Sequence, residues 1–213
     1  MNASSRWLSL LQKNKAIAVI RASRCDLAIK MAKAVATGGI QLIEITWNSA
    51  RAAETIAQLR AELPACTIGT GTLLNIDQLQ QACANGAQFL FTPHTDLEII
   101  QVAKENNIPV IPGALSPTEI VRAWHHGASC VKVFPVQAVG GASYIKSLQA
   151  PLGHIPLIPT GGVTLENARG FIQAGAIAVG LSGELFLPEL VAAENWEAIA
   201  LRAKTLLQNL VVA

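Results

Sequence analysis

Two ionisable side chains interrupt apolar segments of the sequence. Lys132 lies within the segment Cys-Val-Lys-Val-Phe-Pro, and Glu44 lies within Leu-Ile-Glu-Ile-Thr. A lysine in an apolar cavity loses proton affinity, because burial disfavours the charged form. The free amine can attack a ketone and form a Schiff base, and a neighbouring carboxylate can move the protons that this reaction requires. The residue types therefore indicate imine chemistry, while a structural ion pair between the two groups remains the alternative.

The alternation of side chains along a strand predicts where these groups point. Lys132 shares one face of its predicted strand with Phe134, whereas the two flanking valines point to the other face. Valines suit the layer that packs against helices, so we expect Lys132 and Phe134 to point inward. By the same rule, Glu44 and Thr46 share one face of their strand.

Two glycine-containing turns predict a binding site for phosphate. The segments PTGGV (159–163) and GLSG (180–183) end the last two predicted strands. Loops at these positions of a barrel often bind phosphate through backbone N–H groups at a short helix N-terminus. Glycine pairs also occur in ordinary turns, so the prediction depends on the joint position of the two motifs.

The elements that must position these residues recur along the chain. The predicted strands are residues 16–22, 40–46, 66–72, 89–93, 109–113, 130–135, 156–162 and 176–182. Amphipathic stretches between them predict helices, among them 26–37, 51–62, 96–106 and 117–126. Eight strand–helix units predict an α/β protein that is a single (β/α)8 TIM barrel over residues 1–213. A doubly wound open sheet is the alternative, which the lack of a GxGxxG motif after the first strand disfavours.

Helix boundary signals agree with this repeat. The predicted N-caps are Asp26, Asp77 and Asp96, and Ser116-Pro117 places proline at a first helical position. The predicted helix ends are at Gly38, Gly86, Gly127 and Gly175. Two more helices are expected at 4–14, before the first strand at the bottom of the barrel, and at 195–210.

The composition excludes several classes of function. The chain has 51% hydrophobic residues, but its longest segment without a charged residue, 147–165, contains three prolines and a glycine pair. We therefore predict no membrane span. A net charge of +2 without a basic run argues against nucleic acid as a partner. Four cysteines without CxxC or zinc-ligand spacing predict free thiols, no metal site and a cytoplasmic location.

Four motifs together resemble the 2-keto-3-deoxy-6-phosphogluconate (KDPG) and 4-hydroxy-2-oxoglutarate (KHG) aldolase family. They are GGIQLIEIT (38–46), IGTGTLLN (68–75), VKVFP (131–135) and PTGGV (159–163). The resemblance covers nearly the whole chain and implies a class I aldolase without metal or cofactor. Its expected reaction cleaves KDPG to pyruvate and glyceraldehyde 3-phosphate, with KHG cleavage to pyruvate and glyoxylate as a second activity. It also implies a homotrimer.

The resemblance assigns roles to individual residues. It makes Lys132 the Schiff-base lysine and Glu44 the acid/base residue. The residues expected to bind the phosphorylated keto-acid substrate are Arg21, Thr72, Pro93, Phe134, Gly161, Gly162 and Ser182.

One position departs from the family pattern. Many members carry an arginine four residues after the glutamate, where this chain has Asn48. Other members have an arginine at the end of the first strand, which matches Arg21, and we expect Arg21 to bind the substrate carboxylate. The pair Asn48-Ser49 also occurs in 2-keto-3-deoxy-6-phosphogalactonate aldolases. The configuration at C4 of the substrate therefore remains open.

Two other classes of function remain open. A phosphate-binding barrel enzyme, such as an isomerase or a thiamine-phosphate synthase-like transferase, would not need Lys132 to form an imine. A sugar-phosphate-binding protein without catalytic activity would also retain the barrel. Near the expected site, His94 is interpreted as a rim residue and Cys130 as a small core residue. His125 and His126 are expected on the surface.

Overall fold

The computed structural model describes residues 3–211, in which parallel strands close into a barrel. The strands in this range are β1 (Ala16–Ile20), β2 (Leu42–Thr46), β3 (Thr67–Gly71), β4 (Leu90–Phe91), β5 (Val110–Ile111), β6 (Gly113–Ala114), β7 (Val131–Val133), β8 (Leu157–Pro159) and β9 (Val179–Leu181). β5 and β6 are two segments of one barrel strand, separated by Pro112. Each of the eight predicted segments therefore contains strand, although over fewer residues than predicted.

The order of the strands closes the sheet on itself. One sheet has the order β5-β4-β3-β2-β1-β9, the other has the order β6-β7-β8, and all neighbours are parallel. A bridge between Thr160 and Gly180 joins β8 to β9, and the Ile177 N–H donates to the Leu157 carbonyl at 3.0 Å. The predicted barrel is confirmed, and the open-sheet alternative is wrong.

Helices follow the strands around the outside of the barrel. Within residues 3–211 they are α1 (Ala3–Asn14), α2 (Cys25–Thr37), α3 (Ala52–Glu62), α4 (Ile76–Ala84), α5 (Leu97–Glu105), α6 (Pro117–His125), α7 (Ala142–Leu152), α8 (Ala168–Gln173), α9 (Pro188–Ala192) and α10 (Trp196–Leu210), with a 3₁₀ helix at Val136–Val139. None of these helices combines the length and apolar character that crossing a bilayer requires.

Two predicted helix starts are confirmed by their hydrogen bonds. Asp96 accepts from the backbone N–H groups of Glu98 and Ile99, at 2.9 and 3.1 Å. Ser116 forms a capping box with Glu119: each side chain accepts from the backbone N–H of the other residue. Both caps satisfy N–H groups that the first turn of a helix leaves unpaired.

Two other predicted N-caps are wrong by two residues. The cap of α4 is Asn75, whose side chain accepts from the Gln78 N–H at 2.9 Å, and Asp77 lies in the first turn. α2 begins one residue before Asp26, whose carboxylate instead pairs with Arg24 at 3.0 Å. An acidic residue is also favourable in the first turn, so its presence alone does not locate the cap.

All four predicted glycine helix ends are correct. Gly86, Gly127 and Gly175 follow their helices with φ values of +85°, +101° and +101°. At the end of α2, Gly38 keeps a right-handed φ of −72°, and Gly39 takes the left-handed conformation with φ of +100°.

An apolar cluster fills the amino-terminal half of the barrel interior. Its buried members are Trp7, Leu11, Ile17, Leu42, Phe89, Phe91, Ile111, Cys130, Ile158 and Ala178. Trp7 of α1 stacks on Phe89 with ring centres 4.7 Å apart, and its Nε1–H donates to Cys130 Sγ at 3.2 Å. α1 thus covers this end with apolar side chains, and the polar inward-facing residues lie towards the carboxyl ends of the strands.

Candidate active site

A cavity of about 590 Å³ opens at the carboxyl ends of the strands. Its lining includes all nine residues singled out from the sequence, namely Arg21, Glu44, Thr72, Pro93, Lys132, Phe134, Gly161, Gly162 and Ser182. Catalytic groups of (β/α)8 enzymes lie at this end of the barrel. Residues from seven different strands or their loops thus meet around one space large enough for a small organic ligand.

β7 carries Lys132 into the cavity as the alternation predicts. The side chain is 7% exposed, and its Nζ lies 4.7 Å from the ring centre of Phe134 and 5.8 Å from that of Phe91. Burial lowers the pKa of Lys132; the Glu44 charge opposes this shift, and the Arg21 charge adds to it. The amine is thereby biased towards the neutral form, which is the nucleophile.

Glu44 faces the same space from β2. It is 1% exposed, and its Oε1 has no hydrogen-bond partner among the described residues. Burial raises the pKa of Glu44, against the charges of Lys132 and Arg21. The carboxylate lies across Gly71 of β3, where any Cβ would collide with it. Glycine at this position is therefore required for the observed position of the carboxylate.

Lys132 and Glu44 do not form a direct ion pair. Among residues 3–211, no lysine nitrogen pairs with the Glu44 carboxylate within 4.0 Å. Both groups line the cavity, so a water molecule or a ligand oxygen has room between them. This geometry suits a proton carrier that acts on a group bound to the lysine nitrogen, and it disagrees with the interpretation as a structural ion pair.

Arg21 follows β1 and supplies a cation at the rim of the cavity. In the part of the chain that the structure describes, its guanidinium forms no ion pair within 4.0 Å. Asn48 is exposed and does not line the cavity. The arrangement therefore favours Arg21 over Asn48 as a ligand for an anionic group.

Thr72 stands out by its backbone conformation. It lines the cavity directly after β3 with φ of +62°, a left-handed value that is rare for a β-branched residue. Such conformations cost ~1–3 kcal/mol and cluster at functional sites. Pro93 lies shortly after β4, the strand next to β3, and also lines the cavity. Both predicted residues thus reach the cavity from adjacent strands.

The two glycine-containing loops present unpaired backbone donors. Gly161 and Gly162 have φ values of +81° and +89°. Among the described residues, the N–H groups of Gly161, Gly162, Ser182 and Gly183 donate no hydrogen bond. α8 begins only at Ala168 and α9 only at Pro188, so the two loops present these donors ahead of the helices. The position of both loops at the cavity is as expected.

Comparison with known proteins identifies the family. The family model described as "Aldolase: KDPG and KHG aldolase" matches residues 8–201. This chain belongs to the KDPG and KHG aldolase family. The 2-dehydro-3-deoxy-phosphogluconate aldolase of Treponema pallidum is 34% identical over 197 residues, which cover 92% of this chain and 94% of the relative. The protein is accordingly an aldolase, a lyase that cleaves a carbon–carbon bond.

Solved structures resemble this aldolase over almost its full length. The KDPG aldolase of Legionella pneumophila, captured with pyruvate as a covalent carbinolamine intermediate, has a TM-score of 0.87 and 26% identity. The match covers 93% of this chain and 97% of that one. A structure named native KDPGal has a TM-score of 0.83 and 32% identity, covering 91% and 93% of the two chains.

Eight further residues that line the cavity of this aldolase were not predicted as site residues from the sequence. They are Val19, Thr46, Thr160, Val163, Thr164, Gly180, Gly183 and Glu184. Thr160 is notable because its hydroxyl oxygen is buried and has no hydrogen-bond partner within residues 3–211. Thr46 already shares its predicted face with Glu44, and Thr160, Val163, Gly180 and Gly183 belong to the two glycine-containing segments. Alternation could also have found Val19, which shares the inward face of its strand with Arg21.

The remaining candidate residues of the aldolase lie outside the cavity lining. His94 is exposed at the rim, and its Nε2 is 3.8 Å from the Asp96 carboxylate. Cys130 is fully buried under Trp7, and burial raises the pKa of its thiol to about 12. His125 and His126 are exposed on and directly after α6. Their sequence interpretations as rim, core and surface residues agree with these positions.

Proposed function

We propose that this aldolase cleaves 2-keto-3-deoxy-6-phosphogluconate to pyruvate and glyceraldehyde 3-phosphate through an imine on Lys132. The observation that carries the proposal is the buried Lys132 amine, which faces a cavity across from the buried Glu44 carboxylate. The covalent carbinolamine in the similar Legionella pneumophila enzyme supports the same chemistry.

The reaction follows from an amine nucleophile and a proton carrier. The neutral Lys132 amine adds to the C2 ketone, and loss of water gives a protonated imine. This imine withdraws electrons, so removal of the C4 hydroxyl proton breaks the C3–C4 bond and releases the aldehyde. The remaining enamine takes a proton at C3, and water then releases pyruvate and regenerates the amine.

Glu44 is proposed to carry the protons. It would donate during loss of water from the carbinolamine, accept the C4 hydroxyl proton and return a proton to C3. Burial raises the pKa of Glu44, which brings its protonation equilibrium closer to neutral pH. The same carboxylate can therefore act as acid in one step and as base in the next.

The substrate ends are proposed to bind on opposite sides of Lys132. Arg21 would hold the carboxylate, with Thr72 and Pro93 beside the pyruvate portion and Phe134 along the carbon chain. A guanidinium can form two parallel charge-assisted hydrogen bonds with a carboxylate. The free N–H groups of the glycine loops support a phosphate site formed by three residues, Gly161, Gly162 and Ser182.

The phosphate site can be tested with two substrates. 4-Hydroxy-2-oxoglutarate has no phosphate, and we propose that the enzyme cleaves it less efficiently than KDPG. Gly162→Ala places a Cβ against Gln137 at a residue with φ of +89°, so it should displace the loop N–H groups and lower kcat/KM for KDPG more than for 4-hydroxy-2-oxoglutarate. Equal losses on both substrates would show that Gly162 serves only the fold of the loop.

The C4 epimer, 2-keto-3-deoxy-6-phosphogalactonate, is a second candidate substrate. Two observations favour it. At the position where many family members have arginine, this chain has Asn48, which is uncharged and does not line the cavity. The chain is also similar to the KDPGal structure. The ratio of kcat/KM values for the two epimers decides between them.

Trapping of the imine tests the main proposal against the alternatives that form none. The full chain is incubated with pyruvate and cyanoborohydride, and the modified peptide is mapped by mass spectrometry. We expect a reduced pyruvyl adduct on Lys132, none in Lys132→Met, and an unchanged adduct in Lys146→Met, which alters an exposed lysine of α7. No adduct in the wild type would favour a phosphate-binding barrel without imine chemistry.

Four further properties belong to this proposal. Residues 1–213 are proposed to form one barrel domain that assembles as a homotrimer without metal or cofactor. The family resemblance supports the trimer, and light scattering after gel filtration measures it. A cytoplasmic location is consistent with four cysteines that all have free thiols. EDTA is expected to leave activity unchanged, and a loss that a divalent metal restores would contradict this.

A further inference from the structure

A buried hydrogen-bond network joins the ends of β1 and β2 beside the cavity. The hydroxyl oxygens of Thr46 and Ser49 lie 3.1 Å apart, and the Ala22 N–H donates to Ser49 Oγ at 3.2 Å. Thr46 is only 1% exposed and Ser49 only 7%. The Ala50 N–H also donates to the Ala22 carbonyl at 3.0 Å. Because Ala22 directly follows Arg21, the network ends next to the proposed carboxylate ligand.

The number of protons in this network determines its direction. Ser49 Oγ already accepts from Ala22, and each hydroxyl has one proton to donate. If Thr46 donated to Ser49, the Ser49 proton would be buried without an acceptor among residues 3–211, which is unfavourable. If Ser49 donates to Thr46, the Thr46 proton is left over. Thr46 lines the cavity, so this proton is available to a ligand.

Strand register places this hydroxyl beside Arg21. β1 and β2 pair with Ile20 opposite Ile45, so that Arg21 and Thr46 are level on adjacent strands. Both residues line the cavity. A guanidinium and a hydroxyl donor at one level match the two oxygen atoms of a single carboxylate.

We propose that Thr46 donates a hydrogen bond to the substrate carboxylate, and that Ser49 is a positioning residue which orients the Thr46 proton. This inference rests on the proposed function, because it places a keto acid on Lys132. Loss of the Thr46 hydroxyl then weakens carboxylate binding and leaves the nucleophile intact. In this arrangement Arg21 and Thr46 bind the carboxylate, so Asn48, which lies between Thr46 and Ser49 in the sequence, needs no charge.

Two probes separate carboxylate binding from imine formation. Pyruvate has a carboxylate, and pyruvamide carries a neutral amide in its place. For each, the rate of cyanoborohydride trapping on Lys132 is measured against probe concentration in the full chain. Thr46→Val keeps the side-chain shape and is expected to raise the half-saturating pyruvate concentration about 10- to 150-fold, with the maximal rate and pyruvamide unaffected.

Three further variants are expected to change the half-saturating pyruvate concentration less, or not at all. Ser49→Ala should raise the half-saturating pyruvate concentration about 2- to 12-fold, since it removes one neutral hydrogen bond. Thr46→Ser restores the hydroxyl and should recover values near the wild type. Thr55→Val removes a buried hydroxyl on α3, outside the cavity lining, and should change neither probe.

Three results would overturn the inference. They are an unchanged response of Thr46→Val to pyruvate, an equal shift for pyruvate and pyruvamide, and a failure of Thr46→Ser to recover. If Thr46→Val does not fold by circular dichroism, the ratio of the two probes in Ser49→Ala decides. An unlabelled wild type would refute the proposed function as well, whereas a labelled wild type with an unaffected Thr46→Val refutes this inference alone.

Discussion

Cys130, directly before β7, and Lys132, within it, both point into the barrel, but they belong to its different halves. Burial raises the pKa of the Cys130 thiol to about 12 and lowers the pKa of the Lys132 amine. Both shifts favour the neutral form of the group. Trp7 covers the thiol, whereas the amine faces a cavity of about 590 Å³.

The comparison teaches that burial has opposite consequences for the two chemistries. A cysteine needs its charged thiolate to react, so burial makes Cys130 inert. A lysine needs its neutral amine to react, so the same loss of water makes Lys132 a better nucleophile. The two groups also differ in their access to a ligand. The amino-terminal half of the barrel is packed with apolar side chains, whereas the carboxyl-terminal half contains the open cavity.

The largest expected effect separates Lys132 from Cys130 directly. Lys132→Met should abolish nearly all turnover, because no other group supplies the covalent electron sink. Cys130→Ala should retain turnover, because its thiol touches α1 and not the substrate. Steady-state aldol cleavage measures both, with circular dichroism to confirm folding. Substantial activity in Lys132→Met would show that Lys132 is not the nucleophile.

The next effect concerns the proton carrier opposite Lys132. Glu44→Gln keeps the shape of the side chain and should slow exchange of the pyruvate methyl protons ~10²–10⁴-fold. Exchange is followed by NMR in deuterated water. The matched control is Glu98→Gln on α5, an exposed carboxylate, which should exchange at the wild-type rate. A wild-type rate in Glu44→Gln would remove Glu44 from this role.

A third change acts on the packed half. Trp7→Ala removes a fully buried ring that stacks on Phe89, and it should lower the free energy of unfolding by ~3–5 kcal/mol. Urea denaturation measures this loss. Where the variant is folded, its half-saturating pyruvate concentration should match the wild type, because α1 does not line the cavity. A large change in that concentration would show that the two halves are coupled.

The smallest expected effect is a shift in pH dependence. Trapping with pyruvate needs the neutral amine, so its rate should rise with pH through the lowered pKa of Lys132. The Glu44 charge stabilises the ammonium form, so Glu44→Gln should move this rise to lower pH. The Arg21 charge destabilises it, so Arg21→Ala should move the rise to higher pH. Because Arg21 is exposed, added salt should reduce its effect. Shifts in the same direction would contradict one of the two assignments.

The sequence predicted the barrel and most of the cavity because both follow from local patterns. The spacing of apolar segments indicated eight strands. Alternation predicted that Lys132 points inward and that Glu44 and Thr46 share one face. The glycine loops were found because their position after the last two strands depends only on strand order.

The remaining features depend on which residues meet across the fold. The requirement for Gly71 arises from its contact with Glu44 on a neighbouring strand, and the Trp7–Cys130 hydrogen bond joins residues 123 positions apart. The Thr46–Ser49 network needs the register of β1 with β2. Two predicted N-caps were wrong for a different reason. At α4, for example, Asn75 and Asp77 are both suitable near a helix N-terminus, and only backbone geometry selects between them.

The join between β8 and β9 gives the proposed phosphate site a mechanical consequence. The bridge from Thr160 to Gly180 and the Ile177–Leu157 hydrogen bond connect these strands, and the two glycine-containing loops leave the barrel directly above them. An anion held by both loops links the two sides of this join. At the proposed phosphate site, an anion bound by both loops would hold β8 and β9 together. It would raise the free energy of unfolding by RT ln(1 + L/Kd), where L is the free anion concentration.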